Sequence, residues 1–100
     1  MALRKDYNYK GITANYWKIT NANWDGFINT MYIELSLYLN ESSRNNNVND
    51  VLITKSFIFS NMAEVSREEL YENIKNIETD ELGNQKNNSG YKFFNNSIDV

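Results

Sequence analysis

FINTMYIELSLYL, residues 27–39, decides the fold. Phe27, Met31, Ile33, Leu35, Leu37 and Leu39 alternate with Ile28, Thr30, Tyr32, Glu34, Ser36 and Tyr38, and Asn29 is the only break in the apolar row. A period of two sends successive side chains to opposite faces, so the stretch predicts a β-strand with one apolar face. Burying that row contributes roughly 1.5–3 kcal/mol per large side chain, more than any other segment offers.

Upstream, GITANYWKIT opens with Gly11 and predicts a second strand over residues 12–20 from its β-branched and aromatic content. The connection Asn21–Gly26 ends in Asp25-Gly26, a strong hairpin pair. A two-residue turn there sets Lys18 opposite Ile33 and puts a lysine on the apolar face. A five-residue loop, or a bulge near Trp24, sets Trp17 opposite Ile33 and Ile19 opposite Met31, so the two apolar rows coincide. The second register is favoured, because a one-residue slip exchanges faces for the whole strand. The opposite face then carries Tyr16, Ile28, Tyr32 and Tyr38 among Lys18, Glu34 and Ser36. So many large aromatics call for cover, either from the helix or C-terminal segment of the same chain or from another protein.

Residues 1–10 read as an arm or a short edge strand, and ESSRNNNVND (41–50) as a polar loop. VLITKSFIF (51–59) is a third strand, with Lys55 on its richer face implying a bulge or an edge position. Ser66 with Glu69 three residues on forms a capping-box pattern, and Val65 with Leu70 a hydrophobic staple. Leu70, Ile74 and Ile77, with Tyr71 beside them, predict an amphipathic helix with Glu68, Glu72 and Lys75 on its solvated face. TDELGNQKNNSG (79–90) is turn-rich and reads as a flexible segment, Tyr91–Phe94 as a short closing strand, and 95–100 as a tail. The fold class expected is α+β: a single domain over 1–100 with an antiparallel sheet of about four strands. The order is a three-strand meander, one amphipathic helix, then a short C-terminal strand.

One hundred residues suit one core. The net charge of −3 and the scattered basic residues argue against a nucleic-acid partner. No apolar run approaches the ~20 residues of a membrane span, and MALRKDYNYKG lacks the apolar segment of a signal peptide, so synthesis and retention in a cytoplasm are expected. The excess of asparagine, with lysine over arginine and many isoleucines and tyrosines, matches the codon bias of an AT-rich genome. Without cysteine or histidine there are no disulfides, no thiolate metal sites and no imidazole base. Glu68-Glu69 and Asp80-Glu81 fall in a helix cap and a loop, neither of which raises a carboxyl pKa as catalysis requires. Asp25-Gly26 and Asn45–Asp50 lack the closing bidentate glutamate of a calcium loop. No catalytic residue, metal ligand or cofactor-binding residue is therefore assigned, and a non-enzyme is expected. Trp17, Trp24, Tyr16, Tyr32 and Tyr38 could stack on sugars, although Trp17 also reads as core and Trp24 as a turn pin. Three glycosylation sequons, at Asn40, Asn87 and Asn95, are what abundant asparagine produces by chance, and Ile98-Asp99-Val100 resembles a C-terminus of the kind peptide-binding domains capture.

Four stretches carry a wider likeness: Lys10–Ile19, Leu35–Asn40, Leu70–Lys75 and Phe94–Val100. Together they resemble a family of small proteins encoded among the tail genes of phages and prophages of Gram-positive bacteria. The resemblance implies a structural part of a tail, baseplate or related contractile particle, present in symmetric copies, made in the host cytoplasm and then carried in the particle. Its partners would be other tail or baseplate proteins, with no nucleic acid and no membrane. On this reading Tyr16, Tyr32, Tyr38 and Trp24, or an exposed strand edge, form the partner-binding surface, helped by strand-type contacts from residues 1–10 and the tail. A module for host-wall sugars and a small inhibitor acting through Glu68, Glu72 and Asp80 are the alternatives.

Overall fold

The computed structural model describes residues 1–100. In chain order the elements are β1 (Leu3–Tyr9), β2 (Ile12–Asp25), β3 (Thr30–Tyr38), α1 (Glu41–Asn46), β4 (Ile53–Phe59), α2 (Arg67–Asn76) and β5 (Ile98–Asp99). One antiparallel sheet runs β4-β3-β2-β1-β5, so four consecutive strands form a meander and the last segment returns beside the first. The expected α+β architecture is present with one more strand and one more helix than the sequence pattern indicated.

The strand pattern of residues 27–39 holds at its centre and fails at its ends. Met31, Ile33, Leu35 and Leu37 are buried on the inner face, but Phe27 lies in the turn and Leu39 past the strand, both exposed. Strand β2 continues through the residues expected to turn. The chain reverses over residues 26–29, where the Asp25 carboxylate accepts a hydrogen bond from the Phe27 amide at 3.0 Å. The Trp24 ring covers Gly26, and a Cβ there would lie 2.7 Å from it, so a larger residue would have to displace the indole. Trp17 consequently faces Leu37 and Ile19 faces Leu35, four residues from the expected partners. The two apolar rows do share a face, and Lys18 faces Ser36. A bulge after Ile19, not near Trp24, brings Ala22 opposite Ile33 and Trp24 opposite Met31, which extends the inward row with two partly buried side chains.

Residues 3–9 are a full strand one place in from the sheet edge, not an arm. Lys10 (φ 51°) and Gly11 (φ 84°) both sit in the left-handed region, which is a two-residue type I′ hairpin. Residues 41–46, expected as loop, form the short helix α1 because Asn40 caps it, accepting from the Ser43 amide at 2.9 Å. Tyr91–Phe94 is not a strand. Phe93 and Phe94 turn inward and pack edge-on against Trp17 and each other, with ring centroids 5.1 Å apart for Trp17–Phe94 and 4.9 Å for the phenylalanine pair. The closing strand lies later, at Ile98–Asp99 beside Leu3 and Arg4.

Helix α2 starts as its sequence predicts, with Ser66 Oγ accepting from the Glu69 amide. Leu70, Tyr71 and Ile74 enter the main core with Trp17, Ile19, Leu35, Phe57 and Phe94. Tyr71 also closes the exposed flank of β2. Its hydroxyl accepts from the Ile19 amide at 2.8 Å and donates to the Met1 carbonyl at 3.0 Å, while Arg67 donates to the Ile19 carbonyl at 3.0 Å. Burial pushes the Tyr71 phenol pKa up, so the hydroxyl stays protonated for this bridging role.

Strand β4 is an edge strand, and it is guarded. Lys55 points inward and is buried, donating to Asn84 Oδ1 at 2.9 Å and approaching the Tyr7 ring at 5.3 Å. The Gln85 carboxamide donates to the Ile58 carbonyl and accepts from the Ile58 amide, the two bonds a neighbouring strand would make. Residues 79–90 are laced by further bonds: Asp80 accepts from the amides of Leu82 and Asn84, and the Thr79 hydroxyl accepts from the Phe93 amide.

Candidate functional site

The inner sheet face is sealed by α2 and the Phe93-Phe94 turn, so the outer face is where the chain meets its surroundings. Its centre is a row of hydroxyls crossing three strands, Thr20–Ser36 at 2.7 Å and Ser36–Thr54 at 3.0 Å. This row divides the face into two unequal halves.

On one side lie Tyr16 and Tyr38, cross-strand partners that are only 8% and 1% exposed. They form a small cluster with Ala2, and Val100 packs against it. The Tyr38 hydroxyl donates to the Val48 carbonyl at 2.7 Å, and the Arg44 guanidinium lies 6.0 Å from the Tyr38 ring. Burial, and then the nearby Glu41 charge, push the Tyr16 phenol pKa up against a smaller opposing effect of Arg44.

On the other side Tyr32 is 40% exposed and its direct cross-strand partner Ile58 is 51% exposed. Beyond them the hairpin tip adds Ile28 and Phe27, the latter 95% exposed. A shallow hollow of about 200 Å³ runs beneath Tyr32 and Ile58, bordered by Asn21, Glu34 and Ser56. Glu34 and Ser56 face each other across the strands without a hydrogen bond between their side chains. An aromatic and an aliphatic side chain ringed by amide, hydroxyl and carboxylate groups can bury area and accept a few hydrogen bonds from a partner surface.

Of the four residues expected to bind a partner, the structure leaves Tyr32 available and buries Tyr16 and Tyr38 within their own chain. Trp24 is half-buried, its indole donating to the Met62 carbonyl at 3.0 Å. It is a pin between the hairpin and the segment before α2. Ile58 and Phe27 were missed: Ile58 stands on the poorer face of β4, and only the β3–β4 register joins it to Tyr32. Phe27 continues an apolar row that stops being a strand just beyond it.

No group of three or more carboxylates gathers into a metal-binding cluster, and no helix is long and apolar enough to cross a membrane. No protein-family model matches the chain, and no curated protein or solved structure matches it significantly.

Proposed function

We propose that this chain is a non-catalytic component of a phage tail, baseplate or related particle, acting by protein–protein assembly in several copies. The observation that supports the reading is the uneven outer face. A chain that covers Tyr16 and Tyr38 so completely leaves Tyr32, Ile58, Ile28 and Phe27 bare in one region, and such residues are typical of the anchoring core of a docking surface. The occupant is an apolar surface of a larger tail protein. The sequence likeness to tail-gene products names that partner class. On this reading the subunit is made in the host cytoplasm and buries the patch on joining the particle.

The test is quantitative mass spectrometry of particles purified after prophage induction, with wild-type chain and with the Tyr32→Ser/Ile58→Thr double variant. A fixed ratio to tail proteins, lost or reduced at least about tenfold in the variant, is the expected result, since two anchoring side chains each carry about 1–2 kcal/mol of binding. Absence of the wild-type chain from particles, despite its expression in the cells, would refute the reading.

A further inference from the structure

Between the covered half of the outer face and the start of α2 lies a pocket of about 480 Å³. Lys18 from β2, Arg44 from α1 and Arg67 from α2 line it, with Thr20, Tyr38 and Asn49. No carboxylate lines it, although the chain as a whole carries more acid than base. The molecule's two ion pairs, Lys75 with Glu72 and with Asp99, both involve Lys75, so none of the three cations here is neutralised.

Each of the three is held differently. Lys18 donates to the Met1 carbonyl at 2.9 Å and Arg67 to the Ile19 carbonyl at 3.0 Å. These bonds to neutral carbonyls fix the head groups and leave most of their donors free. The Arg44 side chain makes no hydrogen bond within the molecule, and its Nε is the one buried side-chain polar atom without a partner. Glu41 precedes Arg44 by three residues and Glu68 follows Arg67, yet neither carboxylate forms an ion pair with its neighbour. Three like charges lining one pocket without a counter-charge oppose one another. An anion bound at their accessible donors removes that cost.

We propose that Lys18, Arg44 and Arg67 form a site for a tetrahedral oxyanion of the phosphate class. A planar carboxylate is filled by one guanidinium fork. Two guanidinium groups and an ammonium on three separate elements line the pocket and offer more donors than two oxygens take up, which suits a dianion with acceptors on several sides. The site lies on the far side of the hydroxyl row from Tyr32 and Ile58, so it stands or falls independently of the assembly reading.

The test is calorimetric titration of the full chain with inorganic phosphate at constant ionic strength. Phenyl phosphate and acetate serve as parallel probes, and Arg44→Gln and Arg67→Gln as variants checked for folding by circular dichroism. The expected result is saturable phosphate binding, weakened roughly tenfold or more in each folded variant, with acetate binding more weakly. Phenyl phosphate binding as well as inorganic phosphate assigns the site to a phosphate monoester; phosphate alone assigns it to the free ion. Non-saturable heats, or equal affinity in wild type and in both folded variants, would overturn the proposal.

Discussion

Tyr16 and Tyr38 at one end of the outer sheet face, and Tyr32 at the other, arise from the same alternation on the same hairpin, yet the first two are buried and the third is not. The difference lies in what joins the strands at each end. Beyond Tyr38 the chain takes residues 39–52 to reach β4, enough to form α1 and to fold Arg44 and Val48 back over the ring. Beyond Thr30 the reversal occupies residues 26–29 alone, too few to fold back over anything. Cover at Tyr38 follows from connection length, with Ala2 and Val100 closing the Tyr16 side, and the bare half is what a tight turn leaves behind.

The largest effect that separates the halves is on stability. Tyr38→Ala should destabilise the domain by about 3–5 kcal/mol, the range for truncating a fully buried aromatic, read as a lowered midpoint in urea denaturation. Tyr38→Phe keeps the ring and removes only the bond to the Val48 carbonyl, so it should cost about 1 kcal/mol. If Tyr38→Ala costs less than Tyr38→Phe is expected to, α1 does not pack on the face and the contrast between the halves collapses.

A smaller effect tests the flank of the bare half. Gln85→Ala removes both bonds to Ile58, which water can replace, so stability should fall by about 0.5–1 kcal/mol. The freed edge beside Ile58 should also make the chain associate at high concentration, visible as concentration-dependent sedimentation. Acid should loosen the same guard. Burial works against ionisation of Asp80, but hydrogen bonds from the Asn84 side chain, the Asn84 amide and the Leu82 amide outweigh it and hold its carboxyl below the usual carboxylate range. A depressed native pKa contributes stability above the unfolded value that is lost as pH falls through the native one. Amide exchange at Leu82 and Asn84 should therefore quicken, relative to the core, only at the acid end of the titration. Unchanged protection there would detach Asp80 from the guard.

Much of this was legible in the sequence. The alternation in residues 31–37 and the capping pattern at Ser66 each follow from short-range rules, and each element stands where those rules put it. What was not legible depends on competition between neighbours. Asp25-Gly26 is a strong turn signal, but Ala22 and Trp24 gain by extending β2 against Ile33 and Met31, so the reversal starts at the glycine and runs on to residue 29. Lys10-Gly11 is a weaker signal that wins because nothing opposes it. Phe93 and Phe94 read as strand residues, yet Trp17 offers both rings an edge-on contact that a strand would deny one of them. The face occupied by Tyr16, Tyr32 and Tyr38 was read correctly as one surface; its division into halves could not be seen, because the cover comes from a polar stretch with no apolar periodicity.

The last effect, also modest, is the most telling about the bare half. Tyr32→Ser and Ile58→Thr remove side chains that are 40% and 51% exposed, so only about half the burial of a core side chain is at stake. Threonine keeps the β-branch that suits an edge strand, and serine at position 32 joins a face already crossed by hydroxyls. Each variant should therefore cost about 1 kcal/mol in denaturation, far less than Tyr38→Ala. A loss near that of Tyr38→Ala would mean that Tyr32 and Ile58 are part of the domain's own core and not a surface kept for a partner. A modest cost that leaves the subunit folded makes the pair a clean probe, because a loss of assembly can then be assigned to the surface itself and not to unfolding.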